Sequence, residues 1–243
     1  GLPVATEGCV VISSNTEIHA IVNLISPTSS SSIIYSGRKS FGAGVRYAPK
    51  ISRSWQNKTT EFEEYLRAAK VEKVTDLPIG VTRPKRARLA PGGPVSSFAW
   101  KPIRPGMQSG YFESYKSEVG AYELDKLLGL NMVPVVVERR VDNDLGAAVM
   151  WIEEVRSWET VLPLPKPATW EFQLARMKLF DDLIGNSDRN KGNLLVDADW
   201  HIFLIDHSRA FVTDSKLPQE LQNIDRRLWT QMLALDEAGL KTT

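Results

Sequence analysis

The chain is poor in the residues on which many metal and redox proteins are built. Its 243 residues include one cysteine, Cys9, and three histidines, His19, His201 and His207. A single cysteine cannot close an internal disulfide, and so few thiolates and imidazoles leave a zinc cluster short of soft ligands. Any metal is then a matter for carboxylate and amide oxygens. Charge of one sign is missing too: 30 Lys and Arg face 29 Asp and Glu, a net of +1. That balance argues against a dedicated nucleic-acid surface or a polybasic membrane stripe. The longest unbroken apolar run is the six residues Ala147–Ile152, too short for a transmembrane helix. Gly1-Leu2-Pro3 opens no basic-then-apolar stretch, so no signal peptide is expected. There are no internal repeats. The expectation is a soluble protein, with the cytoplasm favoured.

What is present is enough for a sizeable core: 42% of residues are apolar and 24% charged. At roughly 150 residues per domain, this length suits one large domain or two small lobes. Residues 1–55 read differently from the rest, with a Ser/Thr-rich stretch from Ser26 to Ser32 and short β-branched runs at Val10-Val11-Ile12 and Ile18–Ile25. They are expected to form loops and a few short strands, and are otherwise unassigned. Thr60 and Glu63 form a capping box for a helix whose apolar face is Phe62, Tyr65, Leu66 and Ala69. Short segments follow at Val74–Ile79, Arg86–Leu89 and Val95–Ile103, the last two separated by the turn Ala90–Pro94. A second helix is expected from about Tyr115 to Leu128, burying Ala121, Leu124, Leu127 and Leu128 and stopped by Gly129. Met132–Val137 and Ala147–Trp151 read as strands around Asp142–Gly146. Beyond Pro163 the pattern turns helical: a buried helix runs from Thr169 to Ile184, a strand pair follows at Asn193–Val196 and Trp200–Ile205, and a last helix runs from Pro218 through Leu221, Ile224, Leu228, Met232 and Leu235.

The chemistry is concentrated in Asn186-Ser187-Asp188-Arg189-Asn190-Lys191-Gly192-Asn193, followed by Asp206 at the end of an apolar strand. A strand ending in an acid puts that carboxylate at the sheet rim, where Asp188, Asn193 and Asp206 can converge. Magnesium takes hard oxygens from one or two side chains and completes its shell with phosphates and waters. Asn193 and Asp206 meet that need and leave Asp188 to orient or deprotonate an attacking hydroxyl. Upstream, Lys101 sits in the apolar strand Phe98-Ala99-Trp100-Lys101, and Glu118 lies on the next helix. A lysine there is costly unless paired, so a Lys101–Glu118 ion pair that positions nucleotide phosphates is expected. Tyr122 and Asp125 share the Glu118 face, whereas Glu123 points about 140° away at 100° per residue and is expected to be solvated. Each element alone also has a plainer explanation: an Asx turn, a sheet-edge lysine, a surface glutamate. Their order, from strand lysine and helix glutamate to the Asp-x-x-x-x-Asn loop, hairpin and acid, is the order found in protein kinases.

The blocks Phe98–Ile103, Ser117–Pro134, Asp182–Leu195 and Ile205–Phe211 resemble the type II phosphatidylinositol 4-kinases. They are also similar to the secretory-pathway casein kinases and to bacterial members of the phosphatidylinositol 3-/4-kinase-like group. The resemblance covers about residues 60–240. It implies an α+β, bilobed, protein-kinase-like fold, with a small β-rich N-lobe over 56–155 and a reduced helical C-lobe over 156–243. By the same resemblance Lys101 binds the phosphates of ATP, Glu118 pairs with it or reaches a metal, Asp188 is the catalytic aspartate, and Asn193 and Asp206 hold Mg²⁺ or Mn²⁺. The hinge contacting adenine would fall at Trp151, Ile152, Glu153 and Glu154. Two departures stand out. The glycine- and serine-rich phosphate turn is replaced by Gly80-Val81-Thr82-Arg83-Pro84-Lys85, where Thr82, Arg83 or Lys85 would supplement backbone amides. His207-Ser208 stands where Asn-Gly or Phe-Gly often follows the metal aspartate. The expected function is transfer of the γ-phosphoryl group of ATP to a hydroxyl of a protein or small molecule. The alternatives are a pseudokinase acting as a nucleotide-binding or scaffolding module and, last, a purely structural domain.

Overall fold

A computed structural model describes residues 10–13, 19–22, 51–77, 84–212 and 225–236. Near the N-terminus, β1 (Val10–Ser13) pairs antiparallel with β2 (His19–Val22), on the two β-branched runs. A 3₁₀ segment, Ile51–Asn57, leads into α1 (Thr59–Ala68). The strands β3 (Val71–Asp76), β4 (Lys85–Leu89) and β5 (Ser97–Lys101) come next. A small hairpin, β6 (Gly106–Gln108) and β7 (Tyr111–Glu113), precedes α2 (Tyr115–Leu128). Then β8 (Val136–Val141) and β9 (Asp144–Met150) complete a five-stranded antiparallel sheet ordered β3-β4-β5-β9-β8.

The second half carries β10 (Arg156–Ser157), the short α3 (Trp158–Val161) and the long α4 (Trp170–Leu183). The strand β11 (Leu194–Val196) lies between β10 and β12 (Ile202–Leu204) in a three-stranded antiparallel sheet. The last described element, α5 (Arg226–Leu233), is capped by Asp225, whose carboxylate accepts from the amides of Arg227 and Leu228. Leu228 is buried and Met232 and Leu235 pack against the core, as the helical spacing predicts. Leu221 and Ile224 lie outside the described residues. Buried apolar side chains form one cluster running from Phe62 and Phe98 in the first half to Phe180 and Phe203 in the second. No helix among the described residues is long and apolar enough to cross a membrane.

α2 falls where the pattern placed it. Ser114 caps it by accepting from the Lys116 amide at 3.0 Å, and Gly129 ends it in the left-handed region at φ 60°. Its outer side differs from expectation, because Leu127 is 41% exposed. Glu123 is ion-paired with Lys126 at 2.6 Å and largely covered, since both sit on the side facing α1. The Thr60–Glu63 capping box does not form: the residue at the cap is Lys58, and Thr60 is already helical. Glu63 turns inward instead, where its Oε1 accepts from the Tyr122 hydroxyl at 2.7 Å and from Lys126 at 2.9 Å. A tertiary partner outcompetes the local cap. The strand expected at Met132–Val137 begins only at Val136, because Pro134 has no amide to add to the ladder.

Residues 51–57, most of which belong to the segment 1–55 that the sequence left unassigned, are bolted to the far half. Arg53, 1% exposed, meets Asp197 and Asp199 at 3.1 Å each, and the Trp55 ring lies 5.7 Å from Phe203.

Candidate active site

The site is assembled where the two halves meet. Lys101 ends β5 opposite Ala147 of β9, so apolar neighbours surround its stem. Its ammonium lies 2.6 Å from Glu118 Oε1, one turn into α2, and 2.9 Å from Asp206 Oδ1, just beyond β12. Burial works to lower the Lys101 pKa, but the Glu118 and Asp206 carboxylates overrule it and hold the side chain firmly protonated. Burial likewise works to raise the Glu118 carboxyl, and the Lys101 ammonium, aided by His207, keeps it well below the usual carboxylate range. The pair is therefore ionised despite side-chain exposures of only 8% and 1%.

Asp206 has φ 61°, a left-handed backbone that costs most side chains 1–3 kcal/mol or so and is best tolerated by Asp, Asn and Gly. Lys101 and the Ser208 hydroxyl both bind Oδ1, leaving Oδ2 without a partner among the described residues. The following segment is fastened to α2: the Ser114 amide donates to the Ser208 carbonyl at 2.9 Å and the Ser117 hydroxyl to the Ala210 carbonyl at 3.1 Å. Gly120 makes room for Phe211, whose ring would lie 3.1 Å from an added Cβ.

The loop after α4 brings the remaining residues. The Asn193 amide nitrogen donates to the Asp188 carbonyl at 3.0 Å, which turns its side-chain oxygen the other way. Asp188 Oδ2 is ion-paired with Arg209 at 3.2 Å, while Oδ1 has only a marginal 3.5 Å contact with Asn190. Arg209 is itself held by buried Glu113 at 2.8 Å and stacks 4.2 Å from the Tyr111 ring centre. The hairpin β6–β7 thereby forms a wall beside Asp188. Beneath the loop, Arg189 grips Asp181 of α4 with two 2.9 Å bonds. Arg209, Glu113, Arg189 and Asp181 escaped the sequence reading, because their partners lie 8 to 96 positions away, at no helical or strand period.

Of the residues expected at the site, the structure brings Lys101, Glu118 and Asp206 into direct contact and Asp188 and Asn193 into one loop. Trp151 and Ile152 follow β9 at the junction of the halves. The Glu153 side chain turns away to Arg86 at 2.8 Å and to the Ser96 hydroxyl at 3.0 Å, and Arg86 stacks on Trp151 at 4.2 Å. Thr82 and Arg83 lie outside the described residues, and Lys85 is exposed at the start of β4. No cluster of three or more His, Cys, Asp and Glu side chains suited to a metal occurs among the described residues. Asn193 and Asp206 do offer an outward amide oxygen and a carboxylate oxygen without a partner, a donor set that suits a hard divalent ion only if phosphates and waters complete its shell.

The architecture is a bilobed, kinase-like α+β fold. Its solved neighbours include the Golgi casein kinase, with TM-score 0.54 and 14% identity over 78% of this chain and 65% of that one, and the Golgi casein kinase with Mn/ADP bound, with TM-score 0.53 and 14% identity over 76% and 70%. Among curated proteins, Protein Rv2133c of Mycobacterium tuberculosis is 24% identical over 132 residues, covering 41% of this chain and 48% of the relative. The chain spans about half the length of that curated relative and 65% of the first solved neighbour. No protein-family model matches the chain.

Proposed function

We propose that the protein is an ATP-dependent, metal-assisted phosphotransferase acting on a hydroxyl of a protein or small molecule. The observation that carries this reading is the buried Lys101–Glu118 pair, extended to Asp206 by the same ammonium. An ion pair so thoroughly desolvated contributes little to stability by itself, whereas an ammonium held by two acids, one of them partly exposed, suits phosphate oxygens.

In this reading Lys101 orients the ATP phosphates, and Glu118 keeps the ammonium in place. The backbone around Trp151, Ile152 and Glu153 takes the adenine, and Thr82 and its neighbours cover the phosphates. Asn193 and Asp206 hold Mg²⁺ or Mn²⁺, which when bound neutralises charge on the phosphates. The acceptor oxygen attacks the γ-phosphorus in line, the bond to the ADP oxygen breaks, and the acceptor proton passes to Asp188. Oδ1 of Asp188 is the available oxygen, since Oδ2 is engaged by Arg209. We assign residues 56–155 to the nucleotide-facing lobe and 156–243 to the lobe bearing Asp188, with 1–55 still unassigned. The lack of a polybasic stripe favours a protein or small-molecule acceptor over the lipid suggested by the phosphatidylinositol 4-kinase likeness. A chain with one cysteine has no need of an oxidising compartment, which favours the cytoplasm.

One observation favours a second reading, a nucleotide-binding module without transfer: the Arg209 guanidinium sits on the would-be base. Incubation with labelled ATP and Mg²⁺ or Mn²⁺ separates the two. The enzyme reading expects phosphate transfer or hydrolysis by the wild type that is abolished in Asp188→Ala and Asp206→Ala; equal turnover by all three sinks it. If all are inactive, a nucleotide-induced thermal shift lost in Lys101→Ala leaves the binding module standing.

A further inference from the structure

Arg189 uses all five of its N–H bonds, and their acceptors surround the two proposed metal ligands. Nε donates to Asp181 Oδ2 and Nη2 to Asp181 Oδ1, both at 2.9 Å. Nη1 donates to two main-chain carbonyls, that of Asn193 at 3.1 Å and that of Ile205 at 2.8 Å. The second Nη2 hydrogen faces His207 Nε2 at 2.8 Å. Asn193 is itself a proposed ligand, and Ile205 immediately precedes the other, Asp206. One planar guanidinium, in a side chain 4% exposed on an acid that is 0% exposed, therefore ties the loop of one ligand to the strand end of the other. A second tie runs beside it, from the Ile205 amide to the Asn193 carbonyl at 3.1 Å.

His207 completes the arrangement. Arginine does not give up its proton, so His207 Nε2 must accept and the ring proton must be on Nδ1. Nδ1 lies 3.7 Å from Glu118 Oε2, an electrostatic contact longer than a hydrogen bond. The ring thus faces the guanidinium on one side and the lysine's partner on the other, so that hydrogen bonds and ion pairs link Asp181, Arg189 and His207 on one side and Glu118, Lys101 and Asp206 on the other, with the 3.7 Å His207–Glu118 contact between them.

We propose that Arg189 is a positioning residue for the divalent ion, its guanidinium fixing the spacing of the Asn193 and Asp206 oxygens and His207 locking the guanidinium in plane. The proposal rests on the metal-assisted reading above. Lysine in its place would keep the charge but lose the fork that reaches both carbonyls at once.

The test titrates Mn²⁺ into the ADP-bound full chain, with free Mn²⁺ followed by electron paramagnetic resonance, for wild type, Asp206→Asn, Arg189→Lys and His207→Phe. Loss of a partner behind the ligands typically weakens metal affinity about 10- to 100-fold, and that is the loss expected for Arg189→Lys, with a smaller loss for His207→Phe. ADP affinity without metal should stay at the wild-type value in both, a separation that general loosening of the fold would not produce. No Mn²⁺ binding by wild type removes the metal-assisted reading and this proposal with it. Binding lost in Asp206→Asn but retained in Arg189→Lys and His207→Phe overturns the proposal alone. Should Arg189→Lys fail to fold, His207→Phe decides: weaker Mn²⁺ binding with ADP affinity kept supports the proposal, and Mn²⁺ affinity equal to wild type overturns it.

Discussion

Replacing Lys101 should harm the fold more than neutralising its partner, and the asymmetry follows from the contacts. Lys101 has two carboxylates within reach, at 2.6 and 2.9 Å, whereas Glu118 has the ammonium and, at 3.7 Å, only a neutral His207. Removing one member of a buried pair costs about 3–5 kcal/mol, because the other charge is stranded. Glu118→Gln leaves Lys101 facing Asp206 and belongs at about 3 kcal/mol, while Lys101→Met strands Glu118 at 1% exposure and belongs nearer 5 kcal/mol. The double replacement Lys101→Met with Glu118→Leu strands only Asp206, whose side chain is 29% exposed and stays hydrated, so most of the loss should be recovered. Nucleotide binding should not recover with it.

The pH dependence supplies a second check on the same variants. In the wild type Glu118 is held below its ordinary range, so its contribution is present above the unfolded value near 4.3 and is lost as pH falls through the folded one. In Lys101→Met burial dominates and lifts the Glu118 pKa above the unfolded value. Its penalty is then full at high pH and shrinks as pH falls. Urea denaturation of the four proteins at pH 7 and pH 5 should therefore show the Lys101→Met deficit narrowing at pH 5. A deficit independent of pH, or a larger loss from Glu118→Gln than from Lys101→Met, would refute the stranded-charge argument.

Asp125, 2% exposed, accepts from the amides of Met132 and Val133 at 2.9 and 3.0 Å, yet burial pushes its carboxyl up to about 7. Its folded pKa exceeds the unfolded one, so the wild type loses stability as pH rises through that value. Asp125→Asn, which keeps an acceptor oxygen, should gain about 2 kcal/mol relative to wild type between pH 5.5 and 8, and a thermal-melt difference that stays flat with pH contradicts this. Gly146, next to the residue opposite Lys101, is packed against the backbone that follows the lysine: an added Cβ would lie 2.6 Å from the Lys101 carbonyl and 2.7 Å from Pro102 Cα. Since backbone cannot swing aside, Gly146→Ala should cost about 1–3 kcal/mol and weaken ADP binding, as calorimetry can determine.

Much of the fold was legible because its signals are local and periodic. Gly129 stops α2, the apolar spacing marks α4, and the turn residues between Leu89 and Val95 separate β4 from β5. The pairing of Lys101 with Glu118 was legible for a different reason, since a charge in an apolar strand demands a partner and the next helix offered Glu118 near its start. The failures share a cause. Thr60 and Glu63 have the spacing of a cap, but the Tyr122 hydroxyl, about sixty positions distant, makes the stronger claim on that carboxylate. The β6–β7 hairpin is too short to register as a strand pattern, and so the Tyr111–Arg209–Glu113 wall beside Asp188 was invisible. Arg189 looked like one more polar residue in a polar loop. Only tertiary geometry shows that each of its hydrogens has a separate acceptor.

The clasp formed by Arg53 and Trp55 bears on how the chain reaches this state at all. Arg53 and Asp199 are 146 positions apart, so a segment synthesised early must wait, its guanidinium and indole in water, until the β11–β12 hairpin exists to receive them. Closing so long a loop carries an entropic cost that the ion pairs and the Trp55 packing must offset. The hairpin for its part emerges with Asp197 lacking its buried cation. Arg53→Ala, which removes the guanidinium that joins residues 51–57 to Asp197 and Asp199, should therefore destabilise contacts on both sides of the molecule at once.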